Sequence, residues 1–192
     1  MAEQAQVDLF GGVTDLDLAR LLLADLHDDL VGKIARSRQL ADLSEALSPD
    51  GTLLTGGQVT FAVWTEARAS FIHGHFIATV MLCQSLAEHI LASYLELALG
   101  GQALPDQISF TETLGRCVSS NFLDAELASE LKHLMRLRNP LSHYRSIDDP
   151  RNLTRRSINT TTHAEDISFG DASFAIRVAV RLLALPQFRL GR

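Results

Sequence analysis

The chain has 192 residues, of which 46% are hydrophobic and only 6% aromatic, and its formal net charge is −6 at pH 7. This apolar fraction is large enough for a folded core and excludes a globally disordered chain. The length suits one domain, or one domain with an appended segment, and the abundance of leucine and alanine over aromatic residues favours helices over sheets.

The first predicted element is a helical N-terminal extension, residues 1–57. Thr14 begins a sequence with the shape of a capping box, in which Asp17 takes the place of the preferred glutamate. Apolar residues then recur at roughly helical spacing, which predicts one or two helices as far as Leu47. A turn cluster at residues 48–51 ends this helical segment. The recurring apolar residues are Leu18, Leu22, Leu26, Leu30 and Ile34.

The second predicted segment, residues 58–192, continues the helical periodicity. From Val59 to Leu99 the pattern predicts two helices or one long bent helix, with Gly74 as the point of weakness. His73 and His75 would face different sides of such a helix, because residues two apart do not share a helical face. No glycine-rich phosphate loop is present either. We therefore expect no metal and no cofactor.

Three further helices are predicted in the second half of the chain. The first begins at Ser109 or Thr111. The second opens at Leu123–Asp124 and ends at Asn139–Pro140, because a residue that precedes proline is pushed out of the α region. Residues 146–162 are polar and lack a helical period, which predicts a loop or arm before the final helix. The predicted fold class is all-α and bundle-like.

Three features of the sequence predict a cytoplasmic protein. Cys83 and Cys117 lie within apolar helical patterns without metal-binding spacing, which is typical of buried, reduced thiols. Polar residues interrupt the apolar region 71–99, so we expect no membrane-spanning helix. The first residues show no basic leader followed by an apolar stretch, so we expect no signal peptide.

Charge is segregated along the chain. Residues 1–130 hold 6 Lys/Arg against 18 Asp/Glu, a net charge of −12, whereas residues 131–160 hold 7 Lys/Arg against 2 Asp/Glu, a net charge of +5. Such asymmetry indicates a polyanionic partner for one surface only. On charge alone, a basic segment that pairs with the acidic body of the same chain is an equal alternative.

The basic segment contains the sequence RNPLSH, from Arg138 to His143. It resembles the signature of the HEPN superfamily: an arginine, four to six residues, then a histidine, commonly with a polar residue directly after the arginine. Asn139 occupies the polar position, and the motif follows a long predicted helix, as it does in the helical bundles of that superfamily. The resemblance extends over roughly residues 60–187 and implies an HEPN-like helical bundle, with the N-terminal extension outside it.

The resemblance implies a metal-independent endoribonuclease, such as a toxin or phage-defence effector, with Arg138 and His143 as catalytic residues. Histidine titrates near neutral pH, so it can take the proton of a ribose 2′-hydroxyl or protonate the leaving 5′-oxygen. Arginine is always charged and offers a bidentate fork to the phosphate. Asn139 would orient one of these groups or the substrate. A half-buried structural histidine is the alternative for His143.

The family also builds its cleft from two protomers, so a homodimer is the expected assembly. An antitoxin or a regulatory protein is a further candidate partner. In the subgroup that pairs with a nucleotidyltransferase antitoxin, a tyrosine lies two residues after the histidine. Here Tyr144 follows His143 directly and Arg145 takes that other position. We therefore assign Tyr144 a supporting role only.

Four arginines in and after the motif region are assigned to RNA binding: Arg145, Arg151, Arg155 and Arg156. Contacts of this kind hold the RNA backbone without reading its sequence. The alternative is that the arm pairs with the acidic N-terminal helices. Two other functions stay open for the chain: a catalytically silent HEPN-fold module for dimerisation or RNA binding, and a helical adaptor for a protein partner.

Overall fold

Eight α-helices make up the structure, a computed structural model that describes residues 14–98, 104–105 and 108–191. No strand occurs in these residues, so the all-α prediction is confirmed. The helices are α1 (Asp15–His27), α2 (Leu30–Ser44), α3 (Gly57–His73), α4 (Phe76–Ala98), α5 (Phe110–Ser119), α6 (Ala125–Ser142), α7 (Leu153–Thr160) and α8 (Ala164–Leu183), followed by a 3₁₀ turn, Pro186–Phe188.

Side-chain caps fix where several helices begin. The Thr14 hydroxyl accepts the Asp17 N–H and the Asp17 carboxylate accepts the Thr14 N–H, so the predicted capping box is confirmed. Ser109, rather than Thr111, caps α5, and Asp124 caps α6 as predicted. A cap of this kind contributes about 1 kcal/mol because it satisfies an N–H that has no partner within the helix.

Gly74 separates α3 from α4, so the region is two helices and not one bent helix. Its φ of +81° lies in the left-handed region, which glycine adopts without strain. The Gly74 N–H bonds the Phe71 carbonyl at 3.2 Å, and the His75 N–H bonds the Ser70 carbonyl at 2.8 Å. Together these bonds form a Schellman motif. The Gly100–Gly101 pair, which in the sequence predicts the end of this helical region, lies outside the described residues.

α4 is the central helix of the bundle and packs on α3, α5, α6 and α8. Leucine, isoleucine and phenylalanine side chains fill the core, and burial of each contributes about 1.5–3 kcal/mol. The bundle therefore fixes α6, which carries the motif, against α4 and α8. The largest fully buried side chains are Phe71, Phe188, Leu86, Ile90, Leu91, Leu114, Leu127, Leu131, Leu134, Ile176, Leu182 and Leu183.

Both cysteines lie in this core as free thiols, which confirms the prediction that they are buried and reduced. Cys83 belongs to α4 and Cys117 to α5. Burial raises the pKa of the Cys117 thiol to about 12, and it raises the pKa of Cys83 as well. The cause is that a thiolate in this core would lack the water that stabilises its charge.

α4 is also long and apolar enough to cross a membrane, with 23 residues and a mean hydropathy of 1.4 in its most apolar window. Length and composition alone therefore do not exclude a membrane-spanning helix, and the expectation that the chain has none stays a prediction. The core helix of a soluble bundle passes the same test by length and composition, and α4 occupies that central position. The cytoplasmic location stays a prediction.

α6 does not end at Asn139–Pro140, so that prediction is wrong. The helix continues to Ser142 with Pro140 inside it. Pro140 has no N–H to bond the Arg136 carbonyl, which normally ends or kinks a helix. Here Leu141 packs against the core and the Ser142 hydroxyl bonds carbonyls of the preceding turn at 3.3 and 3.4 Å. These contacts keep the last residues of α6 helical.

The segment at residues 146–162 is not a loop throughout, because α7 occupies Leu153–Thr160. The Asn152 side chain caps α7 by accepting the Thr154 N–H at 2.9 Å, and Thr161 ends it in the left-handed region. A helix of 8 residues is too short to be stable alone in water. Its contact with α8 supplies the stability that its sequence does not.

The two N-terminal helices differ in how they join the bundle. α2 packs on α3 and α8 and buries Arg36 and Leu40, whereas α1 buries no residue. The Arg36 guanidinium donates to the Asp29 carboxylate at 2.8 Å and to the Ile72 carbonyl at 2.9 Å. It also lies over the Phe76 ring, 5.6 Å from the centroid. Arg36 thus fastens α2 to the junction between α3 and α4.

The segment between α2 and α3 also contacts the C-terminal end of the chain. The Leu53 N–H bonds the Phe188 carbonyl at 2.7 Å, and the Leu190 N–H bonds the Gly51 carbonyl at 3.1 Å. The predicted extension therefore shares backbone hydrogen bonds with the predicted helical domain. The division into residues 1–57 and 58–192 stays a prediction.

Candidate functional site

The motif lies at the C-terminal end of α6, where His143 is the C-cap residue. Its backbone leaves the helix, with φ −129° and ψ 135°, while its N–H still bonds the Asn139 carbonyl at 3.2 Å. The side chain is exposed, so the alternative of a half-buried structural histidine is wrong. Within the part of the chain that the structure describes, the imidazole has no hydrogen-bond or ion-pair partner.

Arg138 lies in the preceding turn of α6 and is half-buried. Its guanidinium makes no hydrogen bond or ion pair with any described residue, and no hydrogen bond joins it to His143. Five residues of helix correspond to a rise of about 7.5 Å and a rotation of about 140°. Side chains at this spacing leave an ideal helix in different directions, which agrees with the absence of a hydrogen bond between them in one protomer.

A cleft of about 440 Å³ opens beside the motif, between the last turns of α6 and the segment that leads into α7. Among the predicted site residues, Asn139, Arg151 and Arg156 line it, whereas Arg138 and His143 are not part of its lining. The cleft therefore lies next to the predicted catalytic pair and does not contain it. Its lining residues are His133, Arg136, Leu137, Asn139, Pro140, Pro150, Arg151 and Arg156.

Two cleft residues, His133 and Arg136, are not among the predicted site residues. The available signal was their spacing, because positions 133, 136, 137 and 140 lie three or four residues apart and share one face of α6. The His133 ring packs edge-on against Phe174, with 4.8 Å between centroids. Arg136 is exposed, and its Nε donates to the Lys132 carbonyl at 3.3 Å. In the described residues its guanidinium has no carboxylate partner.

The arginines that follow the motif are held by nearby aspartates. Arg151 pairs with Asp149 at 2.9 Å, and Arg155 pairs with Asp148. Hydrogen bonds from the side chain and backbone of Arg151 lower the pKa of Asp149 to about 2, because they stabilise the ionised carboxylate. Asp148, Asp149 and Arg151 belong to the segment that connects α6 to α7, and Arg155 belongs to α7.

Arg156 makes the least exposed of these ion pairs. Its two terminal nitrogens donate to the two Asp171 oxygens at 2.6 and 2.8 Å, a bidentate geometry. The side chains are 28% and 15% exposed, and the Asp171 carboxylate raises the pKa of Arg156. Since Asp171 belongs to α8, this pair fastens α7 to the bundle.

The arm, residues 146–162, is predicted either to bind RNA or to pair with the acidic N-terminal helices, and these ion pairs test the second interpretation. The partners of the three arginines are Asp148, Asp149 and Asp171, so pairing of these arginines with the acidic N-terminal helices is wrong. Their positive charges are nevertheless compensated within the chain before any RNA is bound. RNA binding by these arginines stays a prediction.

Tyr144 and Arg145 follow the motif in different environments. Tyr144 is 93% exposed. Arg145 is half-buried, and its Nε lies out of contact with solvent and without a hydrogen-bond partner. The Arg145 carbonyl accepts the side chain of Asn152 at 3.2 Å, which links it to the start of α7. A buried N–H without an acceptor is costly to the fold.

The two histidines that flank Gly74 lie close together after all. Their rings stack with 6.2 Å between centroids and 16° between planes. The expectation that they point to different faces is wrong, because Gly74 ends α3 between them. Residues 14–98, 104–105 and 108–191 contain no cluster of three or more His, Cys, Asp or Glu side chains that could hold a metal ion.

The comparisons with known proteins add no relative to this description. No family model, no curated protein and no solved structure matches the chain.

Proposed function

We propose that the protein is a metal-independent endoribonuclease of the HEPN type, acting as a toxin or defence effector. One observation carries the proposal. The motif side chains Arg138 and His143 have no partner among the described residues, whereas Arg151, Arg155 and Arg156 are held by aspartates. Unpaired groups at the end of a helix are available to a substrate, and this pair combines a cation with an acid/base group.

In the proposed reaction, the ribose 2′-oxygen attacks the adjacent phosphorus and the bond to the 5′-oxygen breaks. The products are a 2′,3′-cyclic phosphate and a 5′-hydroxyl. One histidine takes the 2′-hydroxyl proton, and a second proton goes to the leaving 5′-oxygen. Arg138 binds the phosphoryl oxygens, on which negative charge accumulates in the transition state. The reaction needs no oxidant and no further co-reactant.

A homodimer supplies the second histidine of this mechanism. Each chain contributes one His143, and no hydrogen bond joins it to Arg138 of the same chain. In an isologous dimer, two copies of each motif residue meet around one two-fold axis. Two copies of His143 then serve as base and acid. A strict monomer that remains fully active would contradict this shared site.

The surface beside the motif offers a path for the RNA backbone. Asn139 lines the cleft next to Arg138, and Arg136 presents an uncompensated guanidinium there. Arg145, with its unbonded Nε, lies after His143. We therefore assign the main phosphate contacts to Arg136 and Arg145. Arg151, Arg155 and Arg156 contribute less because their aspartates compete with the phosphates.

The test is incubation of the purified protein with total RNA in excess EDTA, followed by analysis of the product ends. We expect fragments with 2′,3′-cyclic phosphate and 5′-hydroxyl termini. His143→Ala should not produce them, whereas His27→Ala, which removes another exposed histidine, should cleave like the wild type. Cleavage that EDTA abolishes, or that survives in His143→Ala, would contradict the proposal.

A second candidate function, a helical adaptor for a protein partner, is favoured by one observation. The leucines of α1 are exposed in a helix that buries no residue. Such a surface is typical of a protein–protein contact. The RNA assay separates the candidates, since an adaptor without a catalytic site leaves RNA intact in the presence or absence of EDTA.

A further inference from the structure

The leucines of α1 form a broad apolar surface that no other described helix covers. They are 48–72% exposed, and none of the extensive helix–helix contacts among the described residues involves α1. A helix of 13 residues has little stability by itself in water. Its apolar surface therefore needs a partner. These residues, here called the α1 leucine face, are Leu16, Leu18, Leu21, Leu22, Leu23 and Leu26.

The α1 leucine face is wider than one neighbouring helix can cover. At 100° per residue, the six leucines span a sector of about 220°, interrupted by Asp15 and Asp25. Asp17, Arg20 and His27 occupy the remaining sector. A single facing helix contacts an apolar stripe of about 100°. A sector of about 220° can therefore contact two neighbouring helices. The start of α2 adds exposed apolar side chains, namely Leu30, Val31 and Ile34.

We propose that the α1 leucine face is the interface of a homodimer, in which α1 packs against α1 and α2 of a second copy. An exposed leucine presents roughly 100 Å² of apolar surface. Six leucines and the three side chains of α2 together approach the roughly 800 Å² that each partner contributes to a standard interface. A soluble monomer rarely keeps a contiguous apolar patch of this size in water.

Charge argues against a membrane as the occupant. Between residues 15 and 29 the chain carries five aspartates and one arginine. Amphipathic helices that bind anionic membrane surfaces carry lysine and arginine on the polar face, which is the opposite pattern. Two acidic copies also repel each other, but salt screens that repulsion over about 8 Å at physiological ionic strength. The dimer should therefore tighten when salt is added.

A chain of contacts links the junction between α1 and α2 to the end of α6 that carries the motif. Asp29, directly after α1, binds Arg36, and Arg36 lies over the Phe76 ring. Phe76 and Leu141, from the end of α6, line one small cavity. The inference itself rests on the exposed leucines and not on RNA cleavage.

Sedimentation of the purified chain at about 50 µM tests the interface, because a dimer is populated when the protein concentration exceeds its dissociation constant. We expect a dimer for the wild type. Leu22→Glu/Leu26→Glu should weaken association by roughly 100-fold or more, because it places four carboxylates in the interface. Ile158→Glu, which changes a 58% exposed isoleucine on α7, should remain dimeric. Because neither α1 nor α7 buries a residue, far-UV circular dichroism should show the bundle intact in both variants.

Salt provides a second measurement that needs no variant. The wild-type dissociation constant should fall when NaCl is raised from about 0.05 to about 0.5 M, since the interface is apolar and its charges are alike. A monomeric wild type, a dimer that persists in Leu22→Glu/Leu26→Glu, or a dissociation constant that rises with salt would each overturn the inference. RNA cleavage by a monomer would refute this interface and the shared two-histidine site, but it would leave the assignment of ribonuclease activity standing.

Discussion

Two groups of arginines lie close together in this chain and have opposite environments. Arg136 and Arg138, on α6, have no carboxylate partner among the described residues, whereas Arg151, Arg155 and Arg156 are each paired with an aspartate. All five belong to one basic segment and look alike in the sequence. The comparison teaches that the density of positive charge does not reveal which cations are available. The position of nearby aspartates decides that.

We expect the largest effect from substitutions of Arg138, an arginine without a carboxylate partner among the described residues, and of His143, the other motif residue. Arg138→Ala and His143→Ala should each lower the rate of RNA cleavage by roughly 10²–10⁴-fold, because a phosphate clamp or an acid/base group is lost. Neither change should move the melting temperature much, since neither side chain has a partner in the described chain. Arg138→Lys should recover little, because lysine lacks the bidentate fork.

Cleavage rates on one RNA and melting curves of the same preparations test this expectation, with Lys132→Ala as the control for loss of charge nearby. Wild-type activity in His143→Ala would end the assignment. A large loss of melting temperature in Arg138→Ala would instead give that residue a structural role.

Substitution of the arginines that are paired with aspartates should change the free energy of unfolding. Arg156→Ala leaves Asp171 as an unpaired, mostly buried carboxylate, which should lower the free energy of unfolding by about 1–2 kcal/mol. Arg151→Ala removes a 58% exposed partner and should change stability by less than about 0.5 kcal/mol. Chemical denaturation of both variants measures the difference. In Arg156→Ala/Asp171→Ala, part of the lost stability should return, and equal losses for the Arg156 and Arg151 variants would contradict this prediction.

The dependence of RNA binding on salt should separate the two groups. Each phosphate contact on a single strand steepens the slope of log K against log salt by about 0.7. Arg136→Ala should make the slope shallower by about that amount. Arg155→Ala/Arg156→Ala should do so by clearly less than the roughly 1.4 expected of two free guanidinium groups. Salt-titrated binding to one RNA provides the slopes, and a full change of 1.4 would show that RNA displaces the aspartates.

Acid should produce the smallest effect, through Asp149. Its pKa is lowered to about 2 by Arg151, so the pair stabilises the fold fully above the ordinary aspartate value of 3.8 and loses that contribution as pH falls towards 2. Asp149→Asn should therefore melt slightly below the wild type at pH 6, and the two curves should converge near pH 2. Melting temperatures that differ equally at both pH values would contradict the role of this ionisation.

The sequence was informative where structure depends on near neighbours. The caps of Thr14, Ser109 and Asp124 each satisfy an N–H three residues away, so their side chains predict the helix starts. Gly74 marks the end of α3 because its left-handed backbone is a local property. Likewise, apolar periodicity alone predicts an all-α bundle.

The errors occur where distant contacts outweigh local preference. α6 continues through Pro140 because Leu141 packs on the core. α7 forms because Arg156 reaches Asp171 on another helix, which no local period reveals. By contrast, the motif predicts Arg138 and His143 as catalytic residues from their spacing in the sequence alone. The cleft face that includes Arg136 appears only when the segment before α7 folds beside it.

The two buried thiols make the protein slow to react with electrophiles and oxidants. Only the thiolate reacts, and burial with a raised pKa keeps Cys83 and Cys117 protonated. Modification of either thiol therefore requires the bundle to open, so the rate at which a thiol reagent labels it reports how often the core around that thiol opens. Because Cys83 lies on α4 and Cys117 on α5, the two labelling rates distinguish detachment of the peripheral helix from opening of the whole core.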